Sequence, residues 1–422
     1  MKKLITIILV LAIIATMASV LVGCKKGDDF KVGIICLHDE SSTYDANFIN
    51  AAKEAAKELG LKDSQVIIKT GIDESNDCYE TAKELAEMGC KMIFADSFGH
   101  ESFMLKAAKE YPNVQFCHAT GTMAHTENVA NFHNAFAAIY EGRFLAGVAA
   151  GMKLNEMNEG KDVKNYKMGY VGAFTYAEVI SGYTSFYLGA KSVCPQVTMD
   201  VQFTGSWYDV TAEREAALNL INNKGCALIS QHADSMGAPS ACEEKGVPNI
   251  SYNGSTVTAC PNTFIVASRI NWVPYFKLIM TAAKEGTEIP TDYTGTIADG
   301  SVVLTDVNTK AAAAGTAEKI AEVKAKLVNG TLKVFDTSTF TVTIIAPSGA
   351  EGDFGVNTNA TVDDNKKLTA CQADVNTDAN FTPDTQVIKT SGTTSYFAES
   401  EFRSAPYFDL TIDGITCLNA KF

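Results

Sequence analysis

The chain has 422 residues, of which 46% are apolar, and its formal net charge is −14. This length is sufficient for two domains with full cores. Lysine and arginine form no block longer than a short pair, so neither nucleic acid nor an anionic lipid surface is an expected partner.

The first residues have the pattern of a bacterial lipoprotein signal. Lys2 and Lys3 precede the apolar run Leu4–Val20, and the tetrapeptide Leu21–Cys24 reads as a lipobox. We expect a signal peptide over residues 1–23, lipid on Cys24 and a short tether over residues 24–29. The alternative is a plain N-terminal anchor helix. No later apolar run is long enough to span a bilayer, so the predicted location is the extracytoplasmic face of the cell membrane.

Ten cysteines follow Cys24, although exported proteins usually pair their cysteines. No CxxC motif and no dense disulfide spacing occurs, and most of these cysteines lie in or beside apolar segments. The pattern therefore predicts buried free thiols.

Strands and helices are predicted to alternate along the chain, which indicates βαβ units and parallel sheets, an α/β fold. The predicted strands are Phe30–Leu37, Gln65–Lys69, Lys91–Ala95, Val114–His118, Lys167–Gly172, Val197–Phe203, Cys226–Ser230, Pro248–Tyr252 and Thr263–Ser268. The predicted helices are Tyr44–Leu59, Asn76–Met88, Ser102–Glu110, Glu178–Ser192, the segment between Asp209 and Gly225, Met236–Lys245, Asn271–Glu285 and Ala311–Asn329.

Three further segments have less regular patterns. The alanine-rich stretch Phe132–Gly151 predicts one long helix, and the polar stretch Asn155–Asn165 predicts a break between two βα runs. Thr294–Thr305 resembles a pair of strands. From Thr337 onward the chain shows short β-like runs and turns.

One βαβ unit, Gly205–Ser235, carries the clearest indication of a binding site. Trp207 follows a predicted strand, and the cluster Gln231–Ser235, which includes Asp234, follows the next one. Open α/β sheets bind ligands beyond the carboxyl ends of their strands. The unit therefore predicts a pocket for a flat heterocycle.

Aromatic residues recur at equivalent positions after other strands. Stacking a base on an aromatic ring is worth about 1–3 kcal/mol, so a few such rings could supply much of the binding energy. Their repetition favours a ring-binding cleft. The aromatic candidates are Tyr44, Phe98, Phe174, Trp207 and Trp272.

Motifs of common enzymes are missing from the sequence. No GxGxxG follows the first strand, and neither a P-loop nor a GxSxG motif occurs. The spacing of His118, His125 and His133 fits no usual zinc pattern. The sequence thus predicts no cofactor, no metal and no enzymatic activity.

With these motifs in view, the chain resembles the basic membrane protein family of lipoproteins, which serve ABC importers of purine nucleosides and related compounds. The resemblance covers about Phe30 to Val307, and it is closest to a branch that binds free purine bases. Its motifs are Phe116–Gly121, Tyr140–Gly147, Gly205–Asp209, Gln231–Ser235 and Asn271-Trp272.

The resemblance implies a type I periplasmic-binding-protein fold, with two doubly wound parallel-sheet lobes, a hinge and a ligand cleft between them. Lobe one would comprise residues 30–133 and about 268–293, lobe two residues 134–267 and about 294–336, and residues 337–422 would form a C-terminal extension of β and loop structure.

The resemblance also implies roles for site residues. Tyr44 and Trp207 match the aromatic pair that sandwiches the base in the nucleoside binders. The residues expected to read the edge of the ring are Asp45, Thr120, Asp234, Asn253 and Asn271. Thr120, Asn253 and Asn271 stand where the nucleoside binders carry charged groups, which fits a ligand with fewer hydroxyls.

The predicted function is a monomeric, lipid-anchored receptor that captures a purine base or purine nucleoside by hinge closure and delivers it to an ABC permease. Two alternatives remain at this stage. The first is a ligand-binding sensor lipoprotein that feeds a signalling partner. The second is an enzyme such as a nucleoside hydrolase.

Overall fold

The computed structural model of the chain describes residues 30–344, 357–378 and 382–419. Cys24, the signal peptide and the tether lie outside the described residues, so the lipid anchor stays a prediction. In the ranges that are described, no helix combines the length and the apolar character needed to cross a bilayer.

The strands in chain order are β1 Lys31–Ile35, β2 Val66–Lys69, β3 Cys90–Ala95, β4 Gln115–Ala119, β5 Phe132–Ala137, β6 Lys167–Gly172, β7 Thr198–Phe203, β8 Leu228–Gln231, β9 Asn249–Tyr252, β10 Phe264–Ile270, β11 Asp292–Gly295, β12 Val302–Leu304, β13 Ala360–Val362, β14 Leu368–Ala373, β15 Thr385–Gln386, β16 Ile388–Ser391, β17 Thr394–Phe397 and β18 Ile415–Cys417. The α-helices are α1 Thr43–Glu58, α2 Asn76–Glu87, α3 Glu101–Glu110, α4 Met123–Glu127, α5 Ile139–Asn158, α6 Ala177–Val193, α7 Val210–Asn222, α8 Gly237–Lys245, α9 Val273–Glu285 and α10 Thr316–Val328.

Lobe one is built on a parallel sheet with the strand order β2-β1-β3-β4-β5-β11. Side chains alternate across it, as expected for a strand covered on both faces. In β3, Met92 and Phe94 pack into the core beneath α1 and α9, whereas Ile93 packs beneath α2 and α3. This arrangement is doubly wound, which confirms the predicted fold class for this lobe.

Lobe two repeats the design with the strand order β12-β10-β9-β8-β6-β7-β18. Its strands run parallel except β12, which is antiparallel to β10. Helices α5 and α6 cover one face, with Tyr183 and Phe186 in the core, and α7 and α8 cover the other through Leu220 and Ala241.

Three chain segments connect the two lobes, and they meet in backbone hydrogen bonds. Ala138 joins β5 to α5, Asn271 lies between β10 and α9, and residues 296–301 join β11 to β12. The N–H of Ala138 donates to the carbonyl oxygen of Gly295 at 2.8 Å, and the N–H of Asn271 donates to that of Ser301 at 2.7 Å. These segments form the hinge.

Two predictions about secondary structure are wrong for the same physical reason. Phe132–Gly151 is not one helix, because Phe132–Ala137 is strand β5, buried at every position between its neighbours β4 and β11. Thr294–Thr305 is not a strand pair, because β11 and β12 belong to the sheets of different lobes. In both places the sheet that a segment joins is set by distant parts of the chain.

The described part of the C-terminal extension is folded against both lobes. Strand β18 pairs in parallel with β7 at the edge of the lobe two sheet, and the hydroxyl of Ser181 on α6 donates to Glu399 at 2.6 Å. On the lobe one side, the N–H of Ser404 donates to the carboxylate of Asp292 in β11 at 2.6 Å. The extension therefore spans the hinge.

The cysteine prediction is confirmed for the described residues. The ten cysteines after Cys24 are all free thiols, and nine of them are buried. They contribute to the cores as small apolar side chains rather than as cross-links.

Helices α5 and α6 cross at two glycines. A methyl group added to Gly147 would lie 2.0 Å from the carbonyl oxygen of Phe186, and one added to Gly189 would lie 2.0 Å from that of Phe144. Both obstacles are backbone atoms, so the helices themselves would have to separate.

We therefore predict that Gly147→Ala lowers the free energy of unfolding by about 1–3 kcal/mol, the usual cost of overpacking. The same substitution in an open helix would raise it by up to about 1 kcal/mol. Chemical denaturation monitored by circular dichroism measures the difference. Glu156→Ala, at an exposed site on the same helix, is the control and should stay within about 1 kcal/mol of the wild type. A stabilised Gly147→Ala variant would contradict the helix contact.

Candidate ligand-binding site

The carboxyl ends of strands from both sheets face each other across the space between the lobes. They border a cavity of about 390 Å³, called here the inner cavity. Its lining residues are Leu37, His38, Tyr44, Asp45, Ser97, Phe98, Thr120, Glu178, Trp207, His232, Asp234 and Tyr252.

Two aromatic rings reach the inner cavity from opposite lobes. Tyr44 stands at the start of α1 in lobe one, and its hydroxyl donates to the carbonyl oxygen of Asp96 at 2.7 Å. Trp207 lies in the lobe two loop between β7 and α7, with Phe174 edge-on at 4.9 Å and Tyr176 at 5.9 Å between ring centroids. Each ring is thus fixed within its own lobe.

The loop that carries Trp207 is tied to the loop that carries Asp234. The N–H of Asp234 donates to the carbonyl oxygen of Trp207 at 2.9 Å. Behind both loops, the carboxylate of Glu213 accepts from the N–H groups of Asp209 at 3.1 Å and Ser235 at 3.2 Å. Gly205 starts the turn before Trp207 with φ of 74°, a backbone conformation that glycine adopts most easily.

Asp234 is the lobe two carboxylate of the inner cavity. Burial raises the pKa of Asp234 well above its ordinary value, and the nearby charges of Asp45, Glu213 and Glu178 act in the same direction. One oxygen, Oδ1, accepts from the side-chain amide of Asn253 at 3.2 Å. No hydrogen bond to Oδ2 occurs within the described part of the chain, so Asp234 keeps capacity for a ligand.

Asp45 has little capacity left to accept hydrogen bonds from a ligand. Its Oδ1 accepts from the N–H of His38 at 2.8 Å, and its Oδ2 accepts from the hydroxyl of Ser42 at 2.6 Å. Burial acts to raise the pKa of Asp45, but the hydrogen bonds from His38 and Ser42 outweigh it and leave that pKa below its ordinary value. The neighbouring Asp96 has a pKa well above normal because it is fully buried and lies beside the charge of Asp45. The pKa values of the two neighbouring carboxyl groups are therefore shifted in opposite directions.

A third carboxylate, Glu178, pairs with His232 at the other side of the inner cavity. His232 Nε2 lies 3.3 Å from Glu178 Oε1, and its ring lies 4.6 Å from that of Tyr252. Burial lowers the pKa of His232 despite the carboxylate, so the imidazole is neutral near pH 7. Beneath Tyr252, the fully buried Arg143 lies 4.9 Å from the ring centre and donates to the hydroxyl of Tyr170 at 2.5 Å.

Thr120 carries backbone strain at the site. Its φ is 68°, in the left-handed region that β-branched residues rarely adopt, and its hydroxyl donates to the carbonyl oxygen of Ala119 at 2.6 Å. Such strain persists where surrounding structure imposes it, and it concentrates at functional sites.

The lobes already touch around the inner cavity. The N–H and hydroxyl of Thr43 both lie 3.2 Å from the carbonyl oxygen of Asp234. The rings of His38 and Tyr208 lie 5.2 Å apart, as do those of Phe98 and Tyr176. The structure therefore represents a closed arrangement of the two lobes.

Six of the ten predicted ligand residues line the inner cavity, and four do not. Phe174 packs behind Trp207, and Asn253 holds Asp234 from behind. Asn271 lies in the hinge, where its side-chain amide donates to the carbonyl oxygen of Gly300 at 3.2 Å. Trp272 is 1% exposed and stacks on Phe48 at 4.5 Å in the lobe one core, so the structure does not place it at the site.

Sequence reasoning missed other lining residues. Tyr252 is the last residue of β9, so the rule about strand ends could have selected it. Ser97 and His38 follow β3 and β1 in the same way. His232 belongs to the cluster Gln231–Ser235 that the sequence did indicate, although it was not among the ten ligand residues. Glu178 lies in the first turn of α6, and no local pattern marks its contact with His232, which is 54 residues away.

Two doubly wound lobes, a three-segment hinge and a cavity between facing strand ends define a binding protein of the type I periplasmic fold. A solute-binding protein of an ABC transporter system from Conexibacter woesei has this fold, with a TM-score of 0.59 at 21% identity over 72% of this chain and 98% of that one. The chain belongs to the Bmp family, described as ABC transporter substrate-binding protein PnrA-like, whose sequence pattern matches residues 33–338. The family resemblance and the fold class seen in the sequence are thus confirmed.

Three similar proteins have names that state a ligand. A purine-binding protein of Brucella abortus is 32% identical over 280 residues, covering 65% of this chain and 75% of that protein. The nucleoside-binding protein BmpA of Lactococcus lactis is 28% identical over 263 residues, covering 58% and 70%. A Haloferax volcanii protein named for glucose binding is 31% identical over 212 residues, covering 50% and 51%.

Glu213 generates a prediction about pH, because burial raises its pKa from 4.5 to about 7. Between these values the folded protein holds a proton that the unfolded chain releases, so stability falls as pH rises. Glu213→Gln mimics the protonated form. We expect the free energy of unfolding of this variant, relative to that of the wild type, to increase by about 2–3 kcal/mol as pH rises from 4.5 to 8.

Urea denaturation at a series of pH values measures this gain. Glu215→Gln, at an exposed position on the same helix, is the matched control and should follow the wild-type curve. A constant difference between Glu213→Gln and the wild type at all pH values would show that Glu213 does not titrate in this window.

Proposed function

We propose that the protein is the receptor of an ABC importer and captures a purine base or purine nucleoside between its two lobes. The family supports the receptor role, and the names of the Brucella and Lactococcus relatives support the purine ring. The observation that carries the proposal is that Tyr44 and Trp207 line one cavity from opposite lobes. A flat ring between them would contact both lobes at once.

The polar lining favours a ligand with N–H donors. Asp234 and Glu178 both offer carboxylate oxygens to the inner cavity, and Asp234 Oδ2 has no partner among the described residues. Purine rings carry N–H groups and exocyclic amines at their edges, whereas the faces of the ring stack on aromatic side chains. Thr120 and Asn253 would orient these contacts rather than contribute charge.

Hinge closure is the proposed mechanism. The contacts from Thr43 to the carbonyl oxygen of Asp234 join the lobes beside the inner cavity. A ligand that touches both lobes stabilises this closed arrangement over an open one, since it binds the two states with different affinity. The closed face would then be presented to the permease.

Lipidation of Cys24 would hold this receptor on the extracytoplasmic face of the membrane, with residues 24–29 as the tether. A binding protein needs no catalytic group, and the family and the relatives reported above are substrate-binding proteins. Incubating the purified chain with a nucleoside and finding the free base by chromatography would instead favour the hydrolase alternative.

Intrinsic fluorescence offers a direct test, because the chain contains two tryptophans. Trp207 lines the inner cavity and Trp272 is buried in the core. We predict that a bound purine changes the emission of the wild type and of Trp272→Phe. The change should be lost in Trp207→Ala, whose affinity should fall about 5- to 150-fold by calorimetry.

The ligand panel comprises adenine, guanine, hypoxanthine, their ribonucleosides and glucose. Binding of glucose alone would contradict the purine assignment. Purine binding that is equally strong in Trp207→Ala would place the ring elsewhere, and Trp272→Phe controls for the general effect of losing an indole.

A further inference from the structure

A second cavity adjoins the inner cavity on its solvent side. This outer cavity measures about 1170 Å³, and it shares Phe98, Thr120 and Glu178 with the inner cavity. Thr122 of lobe one and residues 175–177 of lobe two also line it, and the rest of its wall comes from the C-terminal extension, through residues that include Asp374, Arg403 and Asp409. The extension lies beyond residue 338, where the match to the Bmp family ends.

The extension is held in place where it borders the outer cavity. Arg403 Nη1 donates to the carbonyl oxygen of Asp374 at 2.7 Å, and its guanidinium group lies 5.7 Å from the ring centre of Tyr407. Ser404, the next residue, donates through its N–H to Asp292 of lobe one. The wall is therefore an ordered surface that carries a fixed cation.

We propose that the extension supplies a second subsite of the same binding cleft, which holds an uncharged, hydroxylated substituent, such as the sugar of a nucleoside. This inference rests on the proposed function, since it requires a ring in the inner cavity. The substituent would leave the ring beside Thr120 and Glu178 and enter the outer cavity.

The chemistry of the lining selects this class of group. Hydroxyls both donate and accept, and the outer cavity offers acceptors on Glu178 and Asp374 and donors on Arg403. Three carboxylates, including Asp409, face this single guanidinium group, so a phosphate would meet net repulsion.

The test compares the tightest-binding free base with its ribonucleoside by calorimetry on the purified chain. We expect the wild type to bind the nucleoside about tenfold more tightly, and Arg403→Ala to lose about tenfold in nucleoside affinity while base affinity changes less than about twofold. Lys389→Ala is the matched control, because Lys389 is a partly exposed cation of the extension that pairs with Glu401 and lines neither cavity.

A charge reversal keeps the test decisive if Arg403→Ala does not fold. Asp409 is exposed, so Asp409→Lys should fold, and we expect it to raise the affinity for the nucleoside 5′-monophosphate about fivefold.

The other possible outcomes contradict either the second subsite alone or the proposed function as well. A wild type that binds the base but not the nucleoside would overturn the second subsite and leave the proposed function intact. So would nucleoside binding that is unaffected in Arg403→Ala, or an unchanged monophosphate affinity in Asp409→Lys. A wild type that binds no purine at all would overturn the proposed function, and this inference with it.

Discussion

The backbone of Asp234 is the point on which the binding site depends. Its N–H donates to the carbonyl oxygen of Trp207, and its own carbonyl oxygen accepts from Thr43 of the other lobe. Its side-chain carboxylate accepts from the amide of Asn253. A single residue thereby links the aromatic wall of lobe two, the closure of the lobes and the acceptor that faces the inner cavity. Buried backbone groups need partners, so these bonds hold the loop geometry before any ligand arrives.

Several carboxyl groups lie close together in and beside the inner cavity, and their buried surroundings shift their pKa values. Burial raises the pKa of Asp96 and of Asp234, whereas at Asp45 hydrogen bonds outweigh burial and lower the pKa. Arg143, the buried cation of lobe two, is enclosed by the rings of Tyr170, Phe186 and Tyr252 rather than paired with these acids. The site thus offers hydrogen-bond acceptors at a modest electrostatic cost, which suits a neutral ligand rich in N–H groups better than an anion.

The C-terminal extension contacts both lobes of the fold. Strand β18 continues the lobe two sheet, whereas Ser404 is bonded to β11 of lobe one. Because β11 lies directly before the hinge segment 296–301, the extension contacts lobe one close to the hinge. It therefore adds a wall beside the cleft and contacts both lobes.

The sequence by itself determined the alternation of strands and helices, the family and half of the residues that line the inner cavity, because strand ends, caps and glycines are local signals. Trp207 and Asp234 could be selected in this way, since each lies within four residues of the end of a strand. Only the tertiary structure decided that Phe132–Ala137 is a strand, that Trp272 lies in the core while Trp207 faces the cavity, and that Glu178 meets His232. The same holds for β18, which joins a sheet more than 200 residues away in the chain. Parallel strand pairing and burial on both faces of a sheet bring together residues that are far apart in sequence. Local sequence periodicity does not predict which distant residues these partners are.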